Sequence, residues 1–368
     1  MLKDVKPNNL NKEENMTELS PLITTLTETF AWHGARMTFV SQFLIALIRV
    51  RTVNFTEIAT AFCGASKPDS HYRRIQRFFK DFPLMRAQIS AAVVRWMPLG
   101  QRWLLCLDRT NWKFGTLNIN ILVLAVAYNG VAIPLLWVFL DKRGLSNSFE
   151  RIGLLKHFLL EFGRERIDCL TADREFIGTE WIKFLKRQRI RFRIRIKRNT
   201  CISNPSGSSE AAAFRFFQNG RLGEARMLSQ PRRVWGMRVS VVGMRIANDY
   251  LIVITTEAPE TALDDYARRW NIETLFGCLK SRGFNFEDTH LTKRERISKL
   301  LGLLTLALCW CLLAGEWEQT QKPIAIKKHG RRAKSLFRYG LDRLRNIVVN
   351  LPVKEHDFCW ATNLLSCT

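Results

Sequence analysis

The sequence has no Cys-x2-Cys pair, and its six histidines are scattered without the spacing of metal ligands. These absences exclude the common sequence patterns of a zinc site. The nine cysteines are an odd number, and Cys309 and Cys311 lie in an apolar run that is typical of core residues. We therefore expect neither a structural zinc nor a disulfide framework, as suits a protein of the reducing cytoplasm.

Long apolar runs are also scarce. Residues 300–315 are apolar but fall short of the roughly 20 residues that a membrane helix needs. Residues 117–140 form a longer run, but polar residues and the hairpin signal Asn129-Gly130 interrupt it and favour two buried antiparallel strands. Residues 1–15 are polar and are expected to be flexible, without the pattern of a signal peptide. The sequence therefore predicts no membrane association.

Acidic side chains are outnumbered, with 33 Asp and Glu against 57 Lys and Arg, so the formal net charge is +24. The basic residues are spread over several segments, which favours a polyanionic partner such as DNA. A basic composition that reflects only the host is the alternative. The 368 residues are enough for two to four domains.

Four residues of one segment have a spacing that indicates a site. Tyr266, Arg269, Glu273 and Lys280 follow the pattern Tyr-x2-Arg-x3-Glu-x6-Lys. Because each residue of an α-helix turns by about 100°, all four would fall within about 60° of one another. Such a stripe offers a carboxylate for a metal and cations for phosphates. An exposed polar face is the alternative, but four residue types at fixed offsets are more specific than one charged pair.

This pattern resembles the signature of the bacterial insertion-sequence DDE transposases that are named for their Tyr-Arg-Glu-Lys motif. The group's two other acids are expected upstream at strand ends. Here one apolar run ends at Asp108 and a second ends at Asp173, which Arg174 follows. The likeness covers residues 100–282, with a looser likeness as far as residue 345.

The resemblance implies both a mechanism and roles for these residues. Asp108, Asp173 and Glu273 would bind two Mg²⁺ or Mn²⁺ ions per active site for metal-dependent DNA phosphoryl transfer. Cut-and-paste movement of the chain's own insertion sequence would proceed through nicking, hairpin formation, hairpin opening and strand transfer. Side chains expected to hold DNA near the cut are those of Tyr266, Arg269, Lys280 and Arg174.

Further expectations follow from the same resemblance. An aromatic residue should stack on a flipped base in the hairpin step. Trp235 is a candidate because it lies in the expected insertion, although a core role is the simpler reading; the others are Trp112, Trp181 and Trp270. The partners would be the element's terminal inverted repeats and target DNA, bound by a homodimer when two ends are synapsed, at a bacterial nucleoid. The alternatives are an inactive transposase-derived DNA-binding protein and a metal-dependent nuclease of the same fold.

The order of predicted elements supports an α/β fold. Predicted strands at 103–108, 119–128, 131–140 and 168–172 are accompanied by helices near 147–163 and 178–188. This order fits the RNase H-like catalytic core that the resemblance implies, with a mainly β insertion before a single catalytic helix and an α-helical N-terminal domain. The expected divisions are a helical DNA-binding domain at 1–96, the first part of the core at 97–200, the β insertion at 201–248, the second part of the core with the catalytic helix at 249–320, and a basic C-terminal region at 321–368.

Two basic segments are candidates for DNA binding. In residues 55–80, a short helix, a turn and an amphipathic helix with Arg73, Arg77 and Lys80 on one face indicate a helix-turn-helix-like unit. An ordinary helical bundle with a solvated basic face explains these residues equally well.

In residues 189–198, cations alternate with apolar residues, which predicts a strand with a basic outer face: Arg191, Arg193, Arg195 and Lys197. An acidic partner segment is the alternative to DNA, but no nearby run is rich in Asp or Glu, so the pattern favours DNA. The basic residues between 322 and 345 are a further candidate DNA contact.

Overall fold

The computed structural model describes residues 10–64, 66–328, 330 and 332–366, with side chains of residues 10–18 left out. The chain divides into two compact units. The sheet unit comprises Leu99–Leu275, and the helical unit comprises Met1–Pro98 together with Phe276–Thr368. Residues 1–9, part of the segment that the sequence predicts to be flexible, and Arg331 of the basic tail lie outside the described residues.

The sheet unit is built on one large mixed sheet. The strands are β1 Trp103–Phe114, β2 Leu117–Tyr128, β3 Val131–Phe139, β4 Ile167–Ala172, β5 Phe192–Arg195, β6 Cys201–Ser203, β7 Glu210–Ala212, β8 Arg226–Met227, β9 Arg232–Val234, β10 Met237–Ile246 and β11 Asp249–Thr255. Their order in the sheet is β3-β2-β1-β4-β5-β11-β10-β9-β6-β7, with β8 paired to β10. β1, β2 and β3 pair antiparallel, whereas β1, β4 and β5 pair parallel.

Local sequence signals explain the first half of this sheet. The predicted Asn129-Gly130 turn joins β2 to β3, and both residues have the positive φ that the turn requires. Two helices follow, α6 at Ser148–Phe162 and α7 at Thr179–Arg187. Asn147 and Glu150 form a reciprocal capping box at the start of α6, and Gly163 ends it. The predicted order of strands and helices over residues 103–188 is confirmed.

The segment predicted as a mainly β insertion contains β6 to β10, and β10 joins the main sheet. β11 pairs antiparallel with β5, and β10 pairs antiparallel with β11, so the sheet continues through this segment. β9 and β10 are separated by a turn at Trp235 and Gly236, whose φ values are 49° and 77°. A turn with positive φ at both residues reverses the chain and pairs β9 with β10 as a hairpin.

The helical unit is formed by helices from both ends of the chain. Its helices are α1 Leu10–Thr29, α2 Gly34–Val50, α3 Phe55–Thr60, α4 Pro68–Asp81, α5 Arg86–Trp96, α10 Arg294–Gln321, α11 Leu336–Val349 and α12 Glu355–Asn363. Gly315 and Gly340 let α10 and α11 touch: a Cβ on Gly340 would lie 1.8 Å from the Cys311 carbonyl oxygen, and one on Gly315 would lie 2.1 Å from that of Leu336.

Helix α10 is the core of this unit. It is long and apolar enough to cross a membrane by length and composition alone, and it is the one such helix among the described residues. However, 83% of its most apolar window is buried inside the protein. Burial of this kind is expected for the central helix of a packed unit.

The predicted helix-turn-helix-like pair is present as α3 and α4, which pack on each other. Ile75, Phe78 and Phe79 are buried, as the apolar stripe of α4 predicts. Arg73, Arg77 and Lys80 are exposed on its other face. Helix α4 begins with Pro68 at its first turn and Lys67 as N-cap, without a side-chain cap.

Candidate active site

Asp108 and Asp173 lie on neighbouring parallel strands. The last paired residues of β1 and β4 are Leu107 and Ala172, and each aspartate is the next residue of its chain. The predicted position at a strand end holds for Asp173, which follows β4 directly. Asp108 instead lies within β1, which continues to Phe114 as a hairpin with β2. The pairing between β1 and β4 ends immediately before Asp108 and Asp173. Both carboxylates therefore emerge at the same level of the sheet.

The predicted single helix that carries the motif is two helices in the structure. Helix α8 covers Ala262–Ala267 and helix α9 covers Trp270–Leu279. Between them the backbone tightens, since Arg269 N–H donates to the Tyr266 carbonyl at 3.0 Å and Ile272 N–H donates to that of Arg269 at 3.0 Å. This three-residue spacing is typical of a 3₁₀ turn, in which side chains three residues apart lie directly in line.

Tyr266, Arg269 and Glu273 therefore still meet at one place, whereas Lys280 does not join them. Lys280 follows the last residue of α9 and belongs to the helical unit. Its ammonium group forms an ion pair with Glu287 at 2.7 Å. A DNA contact by Lys280 stays a prediction.

Arg269 connects two of the three acids. Its Nη1 donates to Asp108 Oδ2 at 3.0 Å and to Glu273 Oε1 at 3.4 Å. The two carboxylate oxygens can therefore be no farther apart than the sum of these distances. The third acid is held by the phenol, because Tyr266 Oη donates to Asp173 Oδ1 at 3.0 Å. The Arg269 guanidinium also lies 5.7 Å from the centre of the Tyr266 ring.

Burial dominates the electrostatics of this group. Burial raises the pKa of Asp108 to about 7, although the backbone N–H of Arg109 and the charge of Arg269 act against it. Burial also raises the pKa of the Tyr266 phenol. For Arg269, burial acts to lower the pKa, but the surrounding oxygen groups outweigh it and the pKa is raised. Glu273 lies at the solvent-exposed side of the group, with 43% of its side chain exposed.

The donor set suits a divalent cation. Three carboxylates are hard oxygen ligands of the kind that Mg²⁺ and Mn²⁺ prefer. In the described part of the chain, no group of three His, Cys, Asp or Glu side chains is arranged as a metal site. The guanidinium of Arg269 occupies the position between Asp108 and Glu273. The residues fit a divalent ion on the condition that Arg269 moves off these carboxylates.

Two arginines that the sequence did not identify support the site. Arg151 of α6, which is 4% exposed, donates to the backbone carbonyls of Glu175 at 3.0 Å and Ile177 at 2.8 Å. It thereby fixes the loop after Asp173. Arg109 pairs with both carboxylate oxygens of Glu175, at 3.2 and 3.3 Å. Only the position of Arg109 beside Asp108 was a signal in the sequence; Arg151 lies in a predicted helix that carries no motif.

The predicted basic face of residues 189–198 is mostly paired with acids. Arg193 has no exposed side-chain surface and bonds to Asp265 at 3.0 Å. Arg195 pairs with Asp249 at 3.0 Å, and Arg191 pairs with Asp168. The prediction of a DNA contact is wrong for Arg193, because a side chain without exposed surface cannot reach DNA. The acids come from separate segments of the chain, which is why a search for a nearby acidic run missed them.

The remaining predicted cations differ in exposure. Lys197 is exposed. Arg174 keeps 51% of its side chain exposed while it pairs with Asp249 at 3.4 Å. Several cations of the basic tail contact other groups of the protein: Lys334 and Arg338 pair with Asp342, Arg343 pairs with Glu318 and Asp357, and Arg345 donates to the Arg49 carbonyl.

The four candidate tryptophans are separated by burial. Trp181 is fully buried and Trp112 is 7% exposed, so both serve the core. Trp235 is half-buried in the turn between β9 and β10. Trp270 is 65% exposed, and the Arg269 guanidinium lies 5.8 Å from its ring centre.

Comparison with known families places this geometry in context. The model of the transposase DDE domain matches residues 100–310. The chain belongs to the transposase DDE domain family. The matched residues include all three acids and the two helices that carry the motif. Family membership identifies the protein as an enzyme of nucleic-acid cleavage and transposition, in agreement with the resemblance found in the motifs.

Two further comparisons give less. A solved cryo-EM structure of the piggyBac transposase synaptic complex with hairpin DNA is similar to the chain at 10% identity. The match covers 96% of this chain and 86% of that chain, with a TM-score of 0.44. A comparison with curated protein sequences gave no match.

Proposed function

We propose that this protein is a cut-and-paste DNA transposase of the Tyr-Arg-Glu-Lys group that moves its own insertion sequence. The observation that carries the proposal is the convergence of Asp108, Asp173 and Glu273 around Arg269 and Tyr266 inside the matched domain. The strand order β3-β2-β1-β4-β5, antiparallel and then parallel, supports an RNase H-like core. In such a core the acids stand at the end of the parallel pairing.

The chemistry is phosphoryl transfer without a covalent protein intermediate. Asp108, Asp173 and Glu273 would hold divalent ions, which when bound would supply Lewis acidity for the attacking water or 3′-hydroxyl and for the leaving oxygen. Tyr266 holds the carboxylate of Asp173 in place, and Arg151 holds the loop that follows it. Arg269, once released from the acids, can bind a DNA phosphate through two N–H groups.

An exposed aromatic ring beside the acids supports the hairpin step. Of the four candidate tryptophans, Trp270 has the surface that a flipped base needs, and it adjoins the Arg269 guanidinium. Stacking of a base on an aromatic side chain stabilises an extruded nucleotide. We assign Trp270 this role, with the terminal repeats and target DNA as substrates and a homodimer as the form that holds two ends.

The test uses DNA that carries the sequences bounding the gene, incubated with purified protein and Mg²⁺ or Mn²⁺. Wild-type protein should cleave at the ends, form hairpins and join the ends to a second DNA. Asp108→Asn, Asp173→Asn and Glu273→Gln should each bind end DNA but reduce cleavage by about 10³-fold or more, a loss of about 4 kcal/mol in transition-state stabilisation. Glu180→Gln, on the exposed face of α7, removes one carboxylate outside the site and should cleave normally.

The products distinguish the alternatives. Normal cleavage by Asp173→Asn would overturn the assignment of the site. Cleavage by wild-type protein without strand joining would identify a nuclease. Binding to the ends without cleavage by wild-type protein would identify an inactive DNA-binding derivative.

A further inference from the structure

A basic cleft lies in the helical unit between α4 and the first turn of α10. Its volume is about 720 Å³, and it is lined by Ser70, Arg73, Gln76, Arg77, Lys80 and Arg296. Three of these cations belong to α4, and the fourth comes from a segment more than 200 residues later. The cleft is thus made by tertiary packing, and Arg296 is not part of any basic run near α4.

No acidic side chain of the described residues forms an ion pair with the four cations of the cleft. Among the ion pairs of the described residues, none includes Arg73, Arg77, Lys80 or Arg296. In the same unit, cations such as Arg343 and Lys280 have acidic partners. Four unpaired cations in a concave surface attract a chain of phosphates.

A smaller pocket adjoins the cleft and shares Gln76 and Arg296 with it. Its volume is about 150 Å³, and the aromatic rings of Phe55, Tyr72 and Phe79 form part of its wall. A cavity of about this volume takes up benzene in a protein core, so it accepts a single six-membered ring. The side chains of Asn54, Gln76 and His290 bring polar groups to the same wall.

We propose that the cleft binds single-stranded DNA and that the pocket receives one pyrimidine base of that strand. The cations of the cleft would hold the phosphates, the rings would stack on the base, and the Gln76 amide would pair with its polar edge. A base within a duplex cannot enter a pocket, so the site selects an unpaired nucleotide. This inference rests on the proposed function for its partner, since DNA cleavage and joining produce unpaired ends.

Binding of labelled oligonucleotides to the full-length protein tests the inference. The probes are a thymidine decamer, a decamer of the same backbone without bases, and a duplex decamer, all without divalent metal. Wild-type protein should prefer the thymidine decamer over the abasic one by about 5- to 150-fold, as expected for stacking of one base. Tyr72→Leu should reduce this preference but leave abasic binding unchanged, and Tyr72→Phe should retain most of it.

The phosphate contacts are tested with charge variants. Arg296→Gln should weaken both single-stranded probes and reduce the slope of log affinity against log salt by about 0.7. Lys293→Gln removes one exposed cation from the residue that precedes α10, outside both cavities, and should leave the slope unchanged. Thermal unfolding checks that each variant is folded.

Two outcomes would overturn the inference. One is equal binding of the thymidine and abasic decamers by wild-type protein; the other is a Tyr72→Leu variant that is folded and keeps the full preference. Because no metal is present, loss of cleavage in the test of the proposed function does not affect this result. A preference for the thymidine decamer without DNA cleavage would support the base pocket and contradict the proposed transposase function. Cleavage without this preference would support the transposase function and contradict the base pocket.

Discussion

At the scale of single residues, Asp108 has a strongly perturbed environment in the candidate site. Its carboxyl group is buried within a central strand, and burial raises its pKa to about 7. The unfolded chain releases this proton near pH 4. Between these two pH values the folded, metal-free protein holds a proton that the unfolded chain has lost. Stability from this group is therefore present at low pH and is lost as the pH rises to about 7.

Replacing Asp108 by Asn removes this titration and should change the pH dependence of stability. The difference in free energy of unfolding, Asp108→Asn minus wild type, should increase between pH 4 and pH 8. The increase should be up to about 4 kcal/mol, which corresponds to about three pKa units. The measurement is urea unfolding at both pH values with a chelator present. Glu180→Gln should show no such trend, and a constant difference for Asp108→Asn would contradict the burial argument.

Other residues of the site show what sequence alone could predict. The spacing of Tyr266, Arg269 and Glu273 indicated a shared side of the helix, and the three side chains do meet in the structure. The support from Arg151 could not be predicted, because it depends on backbone carbonyls that α6 reaches only after the loop has folded. The roles of these residues toward DNA stay predictions.

At the scale of elements, β5 shows how a strand's surroundings change the meaning of its sequence. Alternation of cations and apolar residues predicts one solvated face on an outer strand. β11 extends the sheet beyond β5, so the strand is central, and α8 packs against it. Three of its four residues are buried. The arginines then need acids, and Asp265 and Asp249 come from segments 50 to 75 residues away. Such pairing is invisible to a reading of neighbouring residues.

Arg193 should accordingly act on stability and not on DNA affinity. Arg193→Met leaves Asp265 without its cationic partner and should reduce the free energy of unfolding by about 3–5 kcal/mol, as for other broken buried pairs. The double variant Arg193→Met with Asp265→Leu should recover much of this loss. Arg187→Met, an exposed cation of α7, serves as control. A stable Arg193→Met variant with a lower salt slope of DNA binding would restore the original DNA-contact prediction.

At the scale of the whole molecule, the helical unit combines segments that the sequence suggests are separate. The composition of residues 1–96 and 321–368 differs, and nothing in either segment predicts that they pack together. The two segments meet where α11 lies against α2 and α12 lies against α1, and α10, which precedes the second segment, lies against α2 and α5. The close approach of α5 to α10 is visible at Gly302, where an added Cβ would lie 3.2 Å from the Ile89 side chain. Shape complementarity of this kind emerges only from the assembled structure.

Residues 1–98 alone should therefore fail to form a stable domain. Helix α2 packs against α10 and α11, and helix α5 packs against α10, with the buried Ile89 of α5 lying against Gly302 of α10. The apolar faces of α2 and α5 would lose this cover when α10 and α11 are absent. We expect this fragment to unfold without a cooperative transition and to bind a hydrophobic dye. Co-expression with residues 276–368 should restore a cooperative thermal transition and abolish dye binding. A sharp two-state transition of the isolated fragment would instead establish an autonomous N-terminal domain, because independent folding requires a core that is complete within the fragment.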